Sequence, residues 1–162
     1  MNLKKWKSLR KKYEIQQNPN GIAEAFILAE DFIGEENVAL ILGDNIFYFP
    51  SLIDVIPDSI QTQGAAIFAY HVANPSRYGV VEFTESNQIL SIEEKPQEPK
   101  SNYAIPGFYF FDSNVTTFAK QLQPSQRGEL EITDLILHYH SKNNFKLIKM
   151  DKGTAWLDTG TV

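Results

Sequence analysis

The sequence predicts one α/β domain built on a mixed, mainly parallel sheet. Val38–Leu42 is an unbroken apolar run that ends at Gly43-Asp44-Asn45, which is typical of a strand buried on both faces. A weak helical segment at 50–62 follows, and Gly64 then introduces AAIFAYHV, a second mostly apolar strand. This alternation of strand, helix and strand indicates a parallel βαβ arrangement.

The remaining segments continue the same mixed pattern. Residues 22–33 show helical spacing and end at Gly34, a glycine suited to a helix C-terminus. After Tyr78 the sequence predicts a hairpin (YGVVEF and ILSIEEK), a strand at 103–111 interrupted by Pro106-Gly107, a short helix from Ser113, a helix in ELEITDLILHYH and a strand at 145–150. A proline within a strand predicts a bulge or an unpaired stretch, because it has no N–H to donate.

Length and composition restrict the class of protein. The chain has 162 residues, of which 43% are hydrophobic, enough for one domain and too few for two ordinary ones. It has no cysteine, which excludes disulfides and thiolate chemistry and fits a reducing cytosol, so we expect a cytoplasmic location. No apolar run approaches the ~20 residues of a membrane span, and we expect no membrane partner.

The net charge of −5 hides an uneven distribution. Residues 1–12 carry six basic and no acidic residues, whereas the chain from Tyr13 onward has a balance of −11. We therefore divide the chain into a basic stretch, 1–12, and a domain, 13–162. The basic stretch fits either a solvated helix or frayed terminus, or an arm for a membrane surface or nucleic acid. The acidic remainder argues against a nucleic-acid partner.

Two carboxylates follow apolar segments near glycines. Asp44 lies between Gly43 and Asn45, and Asp158 is two residues before Gly160. Mg²⁺ binds oxygen ligands, typically one or two carboxylates together with substrate phosphates. If both aspartates meet at one ion, they form a phosphoryl-transfer arrangement. The alternative is a pair of unrelated loop aspartates that stabilise turns, and the sequence alone does not distinguish the two.

The other candidate site residues also allow two interpretations each, one functional and one structural. Lys95, after Glu93-Glu94, fits a cation for a substrate phosphate or a surface lysine among carboxylates. Tyr78-Gly79 fits a close backbone approach to a ligand or the start of a hairpin. Arg127 fits an anion site or a local ion pair at the start of a helix. The three histidines have no metal-binding spacing, and we interpret them as structural or surface groups.

Seven segments in order resemble one family: LGDNIFY, FAYHV, RYGVVEF, EEKP, KSNYA, GELEITD and WLDTGT. They are similar to those of glucose-1-phosphate thymidylyltransferases, which convert dTTP and glucose 1-phosphate to dTDP-glucose and pyrophosphate. In this family, dTDP-glucose is a precursor for other dTDP-sugars and for polysaccharides. The resemblance begins near Tyr13. It implies a Rossmann-like nucleotide-diphosphosugar transferase fold, a Mg²⁺ cofactor, and association as a homo-oligomer or with a full-length paralogue.

The resemblance also implies roles for particular residues. Asp44 and Asp158 resemble the Mg²⁺ ligands, Lys95 the contact to the sugar phosphate, and Glu94 its neighbour on the sugar. The other implied substrate contacts are Tyr78, Gly79 and Ile105 at the sugar, Gln16 and Gly21 at the thymine, and Arg127 and Trp156 at positions less closely defined.

The chain also departs from this family. Members begin with a strand and a glycine-rich loop of the type GGxGTRL that wraps the triphosphate, and the sequence does not contain that motif. It also ends at WLDTGTV, before the helical segment that usually follows. We therefore expect an N-terminally truncated fold with apolar surface exposed where the first strand is missing. We expect a sugar-phosphate and metal half-site that is inactive alone. The alternatives are a non-catalytic relic or binding subunit, and a transferase for another sugar.

Overall fold

The computed structural model describes residues 11–52, 54–55 and 63–160, so most of the predicted basic stretch lies outside the described residues. The described elements are helices α1 (Glu24–Leu28), α2 (Glu30–Ile33), α3 (Val115–Ala119) and α4 (Ile132–Ser141), and strands β1 (Val38–Ile41), β2 (Asn45–Tyr48), β3 (Ala65–His71), β4 (Gly79–Phe83), β5 (Ile89–Glu94), β6 (Tyr103–Ala104), β7 (Phe108–Phe111), β8 (Phe145–Lys149) and β9 (Ala155–Asp158). Within these ranges, no helix is long and apolar enough to cross a membrane.

The main sheet is mixed, as predicted, but the expected predominance of parallel pairs is wrong for the described strands. β7 lies between β1 and β3 and is antiparallel to both, and the parallel pair is β3 with β8. Strands β1 and β3 therefore run in the same direction, as a βαβ unit requires, without pairing with each other. The sequence pattern correctly predicted that β1 and β3 run in the same direction, but it did not indicate that β7 lies between them.

The strand buried on both faces is β3, not β1. Ala65, Ile67 and Ala69 pack into one apolar cluster, and Ala66 and Phe68 pack into a second cluster on the opposite face. In β1, Ile41 is 55% exposed and alternate residues are only partly buried. Within the described residues β1 pairs with β7 alone, so it forms an edge with one covered face.

Aromatic residues fill both sides of the sheet. Phe111 packs against Phe26, with ring centroids 5.2 Å apart, and against Tyr139, at 5.4 Å. On the other face the Phe68 ring stacks on Phe108 at 5.0 Å. Because alternate residues of β7 point to opposite faces, this single strand contributes to both clusters. These contacts hold the sheet against the helices.

One predicted helix is divided into two shorter helices, whereas the other described helices lie where the sequence predicted them. The single helix predicted over 22–33 is two helices, α1 and α2, which meet at Ala29. Gly34 ends α2 with φ of 57°, as the sequence predicted. The predicted short helix is α3, and α4 buries Leu135 and Tyr139 as expected. Of the weak helix at 50–62, residues 52, 54 and 55 are helical, and most of the rest lies outside the described residues.

The predicted interruption at Pro106-Gly107 is confirmed, and it splits the sheet. The two residues of β6 before it pair with the end of β3 and with β4, whereas β7 after it pairs with β1 and the start of β3. The backbone of the interruption is held from both sides: Ile105 N donates to Gly79 O at 2.8 Å, and Leu42 N donates to Gly107 O at 2.9 Å. This split leaves a gap, which is bounded by the predicted β4–β5 hairpin on one side and by β1 on the other.

Candidate active site

Pairing of β2 with β9 brings the two predicted aspartates together. Asn45 lies opposite Asp158 in this antiparallel pair, which is separate from the main sheet. Just beyond it, the backbone N–H and the hydroxyl of Thr159 each donate to the carbonyl oxygen of Asp44 at 2.8 Å. The pairing therefore fixes both carboxylates at one end of a short two-stranded sheet, a convergence that the sequence left open.

Gly160 keeps the space between these carboxylates open. A Cβ atom at this position would lie 2.2 Å from Asp44 Oδ2 and 3.4 Å from Asp158 Oδ1. The two oxygens can be no farther apart than the sum of these distances. Any side chain at residue 160 would occupy the place where the carboxylates face each other, which is the kind of small oxygen-lined space that a hard cation uses.

A cavity of about 270 Å³ opens beside the aspartates, in the gap where the main sheet splits. Eight predicted site residues line it: Asp44, Tyr78, Gly79, Glu94, Lys95, Ile105, Trp156 and Asp158. These come from β4, β5, the segment after β6, and the β2–β9 pair. The fold thus brings residues that lie more than a hundred positions apart in the chain into one concave site.

Three predicted site residues, Gln16, Gly21 and Arg127, are not part of the cavity wall. Gln16 Nε2 donates to Gly21 O at 3.0 Å and to Glu24 Oε2 at 2.6 Å, so this segment is ordered by its own hydrogen bonds. Gly21 has φ of 103°, and a Cβ there would lie 2.4 Å from Leu130 O. Glycine is therefore required at residue 21 for packing against Leu130, independently of any ligand contact.

The guanidinium of Arg127 pairs with two carboxylates of its own loop. Its Nη2 donates to Glu129 at 2.9 Å and to Glu131 at 3.0 Å, and its Nε donates to Glu131 at 3.1 Å. Of the two readings that the sequence allowed, the structure shows the local ion pair at the start of α4. The hydrogen bonds that Arg127 donates to Glu131 and the surrounding negative charges raise the pKa of Arg127, so this group stays charged.

Glu94 is the perturbed carboxylate of the cavity. Burial raises the pKa of Glu94, and the nearby negative charge of Glu131 raises it further, while Lys95 and Arg127 oppose this effect. A carboxyl group with a raised pKa takes up its proton at a higher pH than an exposed glutamate does, and its protonated form donates as well as accepts a hydrogen bond. Such a group suits a ligand with several hydroxyls.

The backbone at Lys95 adopts a left-handed conformation with φ of 43°. The other non-glycine residues with positive φ in the described ranges are Asn87 and Asn143, a residue type that tolerates this region. A lysine has no such tolerance, so its conformation costs energy that the fold must supply. The strain turns the chain just after β5, where the Lys95 side chain reaches the cavity.

Sequence reasoning missed other residues of the cavity wall, and Asn45 is the most connected. Its Oδ1 accepts hydrogen bonds from Trp156 Nε1 at 2.7 Å and from Gly107 N at 3.0 Å, and its Nδ2 donates to Asp44 Oδ1 at 2.8 Å. One amide thus ties β2, β9 and the Pro106-Gly107 interruption together. Its place beside Asp44 in the GDN motif was the available signal, but its partners are remote in sequence.

Thr133 and Tyr109 are the other informative residues that the sequence did not indicate. Thr133 is 2% exposed and lines the cavity beside Glu94. Its hydroxyl lies near enough to the Glu94 carboxyl group to lower the pKa of Glu94, but it has no hydrogen-bond partner of good geometry among the described residues. A buried hydroxyl without a partner is costly unless a ligand or water completes it. Burial and the negative charges of Glu94 and Asp44 raise the pKa of Tyr109, which therefore stays protonated.

We predict that Asn45→Ala destabilises the protein by about 2 kcal/mol, because Trp156 Nε1 and Gly107 N each lose a partly buried acceptor. Urea unfolding gives the free energy, and tryptophan emission in a Trp6→Phe background reports the environment of Trp156. Asn102→Ala is the matched control, since Asn102 is exposed, and we expect a change within about 0.5 kcal/mol. Equal unfolding midpoints for the two variants would show that the Asn45 amide does not hold these segments.

Three comparisons with known proteins identify the family of this chain. Residues 2–162 match the family model described as nucleotidyl transferase. The chain is 53% identical over 150 residues to the glucose-1-phosphate thymidylyltransferase of Neisseria meningitidis and 50% identical over 149 residues to that of Mycobacterium tuberculosis. Each alignment covers 92% of this chain and 52% of the relative, so the chain spans about half the length of the curated relatives it matches.

Solved structures give the same fold. A Bacillus anthracis protein described as a glucose-1-phosphate thymidylyltransferase, in complex with sucrose, superposes with a TM-score of 0.81 at 41% identity, covering 93% of this chain and 60% of that one. UDP-glucose pyrophosphorylase with UDP-glucose superposes with a TM-score of 0.79 at 21% identity, covering 93% and 61%, and supports the fold alone. The predicted Rossmann-like fold class is confirmed, and the chain belongs to the nucleotidyl transferase family.

Proposed function

We propose that the cavity binds glucose 1-phosphate and forms the sugar-phosphate and metal part of a glucose-1-phosphate thymidylyltransferase site. The observation that carries this proposal is the presence of Lys95, Glu94 and the Asp44–Asp158 pair around one cavity. This arrangement places a cation for a phosphate beside polar groups for a sugar. The two relatives above, both glucose-1-phosphate thymidylyltransferases, support the choice of substrate.

Each cavity residue has a chemical role in this proposal. The Lys95 ammonium neutralises the phosphate of glucose 1-phosphate. Glu94 bonds a sugar hydroxyl, and the unsatisfied hydroxyl of Thr133 offers a second polar contact close to it. Tyr78, Gly79 and Ile105 contact the sugar. Glycine at residue 79 avoids crowding this wall, because a Cβ there would lie 2.9 Å from the Thr133 methyl group and 3.4 Å from Glu94 Oε2.

The proposal places two of the remaining predicted residues on the nucleotide side, one between the two substrates and one near the sugar-phosphate end. Gln16 and Gly21 read the thymine of dTTP or dTDP-glucose, from a segment that packs against Leu130 outside the cavity wall. Trp156 packs on Tyr78, with ring centroids 4.9 Å apart, and shapes the boundary between the two substrates. Arg127 lies outside the cavity wall, next to its sugar-phosphate end, and pairs with Glu129 and Glu131.

Asp44 and Asp158 would hold a Mg²⁺ ion. The glycine at residue 160 leaves room for it, and the described residues hold no group of three or more His, Asp or Glu side chains that could hold a metal ion by themselves. The remaining ligands would therefore be substrate phosphate oxygens and water, as is usual for this ion. When bound, Mg²⁺ supplies positive charge to the phosphates. Asn45 orients Asp44 through the hydrogen bond to its Oδ1.

The proposed reaction is an in-line attack by a phosphate oxygen of glucose 1-phosphate on the α-phosphorus of dTTP. The new P–O bond forms as the bond to pyrophosphate breaks, without a covalent enzyme intermediate. Catalysis comes from positioning and charge neutralisation. The GGxGTRL loop that would hold the triphosphate is not in this sequence. We therefore propose that transfer requires that loop from polypeptide beyond these 162 residues.

The second candidate function is a non-catalytic binding subunit that associates with a full-length paralogue. The outer face of the β2–β9 pair favours it, because Ile46, Tyr48 and Leu157 are 56%, 68% and 60% exposed on adjacent positions of that face. An exposed apolar face of this kind is typical of a protein contact. The same face also suits a homo-oligomer of this chain.

We predict that Lys95→Gln weakens glucose 1-phosphate binding at least tenfold, because a charge-assisted contact to phosphate is lost. Isothermal titration calorimetry measures the dissociation constant. Lys100→Gln is the matched control: Lys100 is five residues away, exposed, and paired with Glu93. Equal losses for the two variants, or no binding by the wild type, would contradict the proposed sugar-phosphate site.

We predict no dTDP-glucose formation when the chain is incubated alone with dTTP, glucose 1-phosphate and Mg²⁺. Turnover is expected when a polypeptide carrying the GGxGTRL region of a related enzyme is added. Chromatography of the nucleotide sugar measures the product, and Asp44→Asn provides the inactive reference. Product from the chain alone would contradict the need for an added loop. Failure of every loop-bearing polypeptide to restore turnover would favour the binding subunit.

A further inference from the structure

The carboxylate of Glu131 is nearly buried and accepts three hydrogen bonds just before α4. Ser125 Oγ donates to Oε1 at 2.7 Å, Arg127 Nε donates to the same oxygen, and Arg127 Nη2 donates to Oε2. Only 8% of the Glu131 side chain is exposed, compared with 35% for Glu129, the other partner of Arg127. A two-point ion pair with low exposure fixes the guanidinium far more firmly than an exposed single contact does.

The loop anchored by Glu131 connects two parts of the proposed substrate site. On one side, Leu130 N donates to Asn20 O at 2.6 Å, and Gly21 packs against the Leu130 backbone. On the other side, the chain enters α4 directly, and its first residues, Ile132 and Thr133, line the cavity. A shift of this loop would therefore move the segment that carries Gln16 and the cavity wall together.

Glu131 also acts on the cavity through its charge. The charged side chains of the described structure that influence Glu94 are Glu131, which raises its pKa, and Lys95 and Arg127, which lower it. Tyr109 lies close to Glu94 as well and is protonated. Burial favours the neutral form of Glu131, but the hydrogen bonds from Arg127 and Ser125 outweigh this and lower its pKa. Glu131 therefore remains ionised while Glu94 is biased toward its neutral form.

We propose that Glu131 is a positioning residue for the sugar-phosphate end of the cavity: it holds Arg127 outside the cavity and anchors the loop that leads into α4, whose first residues, Ile132 and Thr133, form part of the cavity wall. Its negative charge favours a neutral Glu94, which reduces repulsion of the phosphate bound at Lys95. The identity of the ligand rests on the proposed function, whereas the effect of Glu131 on Glu94 is a property of the chain itself.

The first test follows the Glu94 carboxyl carbon by NMR during a pH titration, with its signal assigned from Glu94→Gln. In Glu131→Gln, the Glu94 pKa should fall, because the charge that favours protonation is gone. In Arg127→Gln, it should rise, because an opposing positive charge is removed and Glu131 is no longer neutralised. Glu129→Gln should leave the titration unchanged. A Glu94 pKa that is the same in Glu131→Gln and Arg127→Gln would overturn the proposal.

The second test measures glucose 1-phosphate affinity by calorimetry for the same variants. We expect Glu131→Gln to weaken binding at least fivefold, because the loop and Arg127 lose their anchor. In the NMR titration, Glu131→Asp keeps the negative charge and should therefore leave the pKa of Glu94 raised, as in the wild type. Glu129→Gln should bind as the wild type does. Equal affinities for Glu131→Gln and Glu129→Gln would contradict the positioning role.

The two tests separate this inference from the proposed function. If the wild type does not bind glucose 1-phosphate, the proposed function fails, and the titration of Glu94 still decides whether Glu131 controls its charge. If the wild type binds and the opposite shifts in Glu131→Gln and Arg127→Gln are absent, the inference on Glu131 fails while the proposed function stands.

Discussion

The pairing of β2 with β9 is the constraint on which the candidate site depends. It joins a segment that follows β1 to the end of the described chain, and it places Asp44 and Asp158 beside each other. The Asn45 amide extends this constraint to the main sheet, because it binds Trp156 and the backbone of Gly107. Without this pair of strands the two carboxylates would belong to separate loops.

The cavity itself results from an interruption in the sheet. Pro106 has no N–H, and Gly107 has room for no side chain: a Cβ there would lie 2.6 Å from the Leu42 side chain. The strand therefore stops pairing at this point, and the backbone of β6 and β7 follows different neighbours. The gap is polar on one side, at Glu94 and Lys95, and apolar on another, at Ile105 and Trp156. A sugar phosphate has both characters as well.

Local patterns in the sequence were sufficient to predict the class of fold and the strand interruption, because apolar runs and glycine or proline breaks act over a few residues. Of the eight predicted residues in the cavity wall, Glu94, Ile105 and Trp156 were implied only by the family resemblance. Pairing between remote strands was less accessible: β7 separates β1 from β3, and the doubly buried strand is β3. The contacts of Asn45 and the pairing of Arg127 with Glu131 depend on side-chain direction, which periodicity does not specify. Thr133 gave no signal at all, since its unsatisfied hydroxyl is a property of its surroundings.

We propose that Asp44 and Asp158 hold one divalent cation at the edge of the cavity. Mn²⁺ can replace Mg²⁺ at oxygen ligands, and it broadens NMR signals of nuclei near it. Titration of the ¹⁵N-labelled chain with Mn²⁺ should selectively broaden the amide signals of Asn45, Thr159 and Gly160. The effect should disappear in both Asp44→Asn and Asp158→Asn and persist in Asp31→Asn, an exposed residue of α2. Broadening that survives either substitution in the pair, or that centres elsewhere, would contradict a shared cation site.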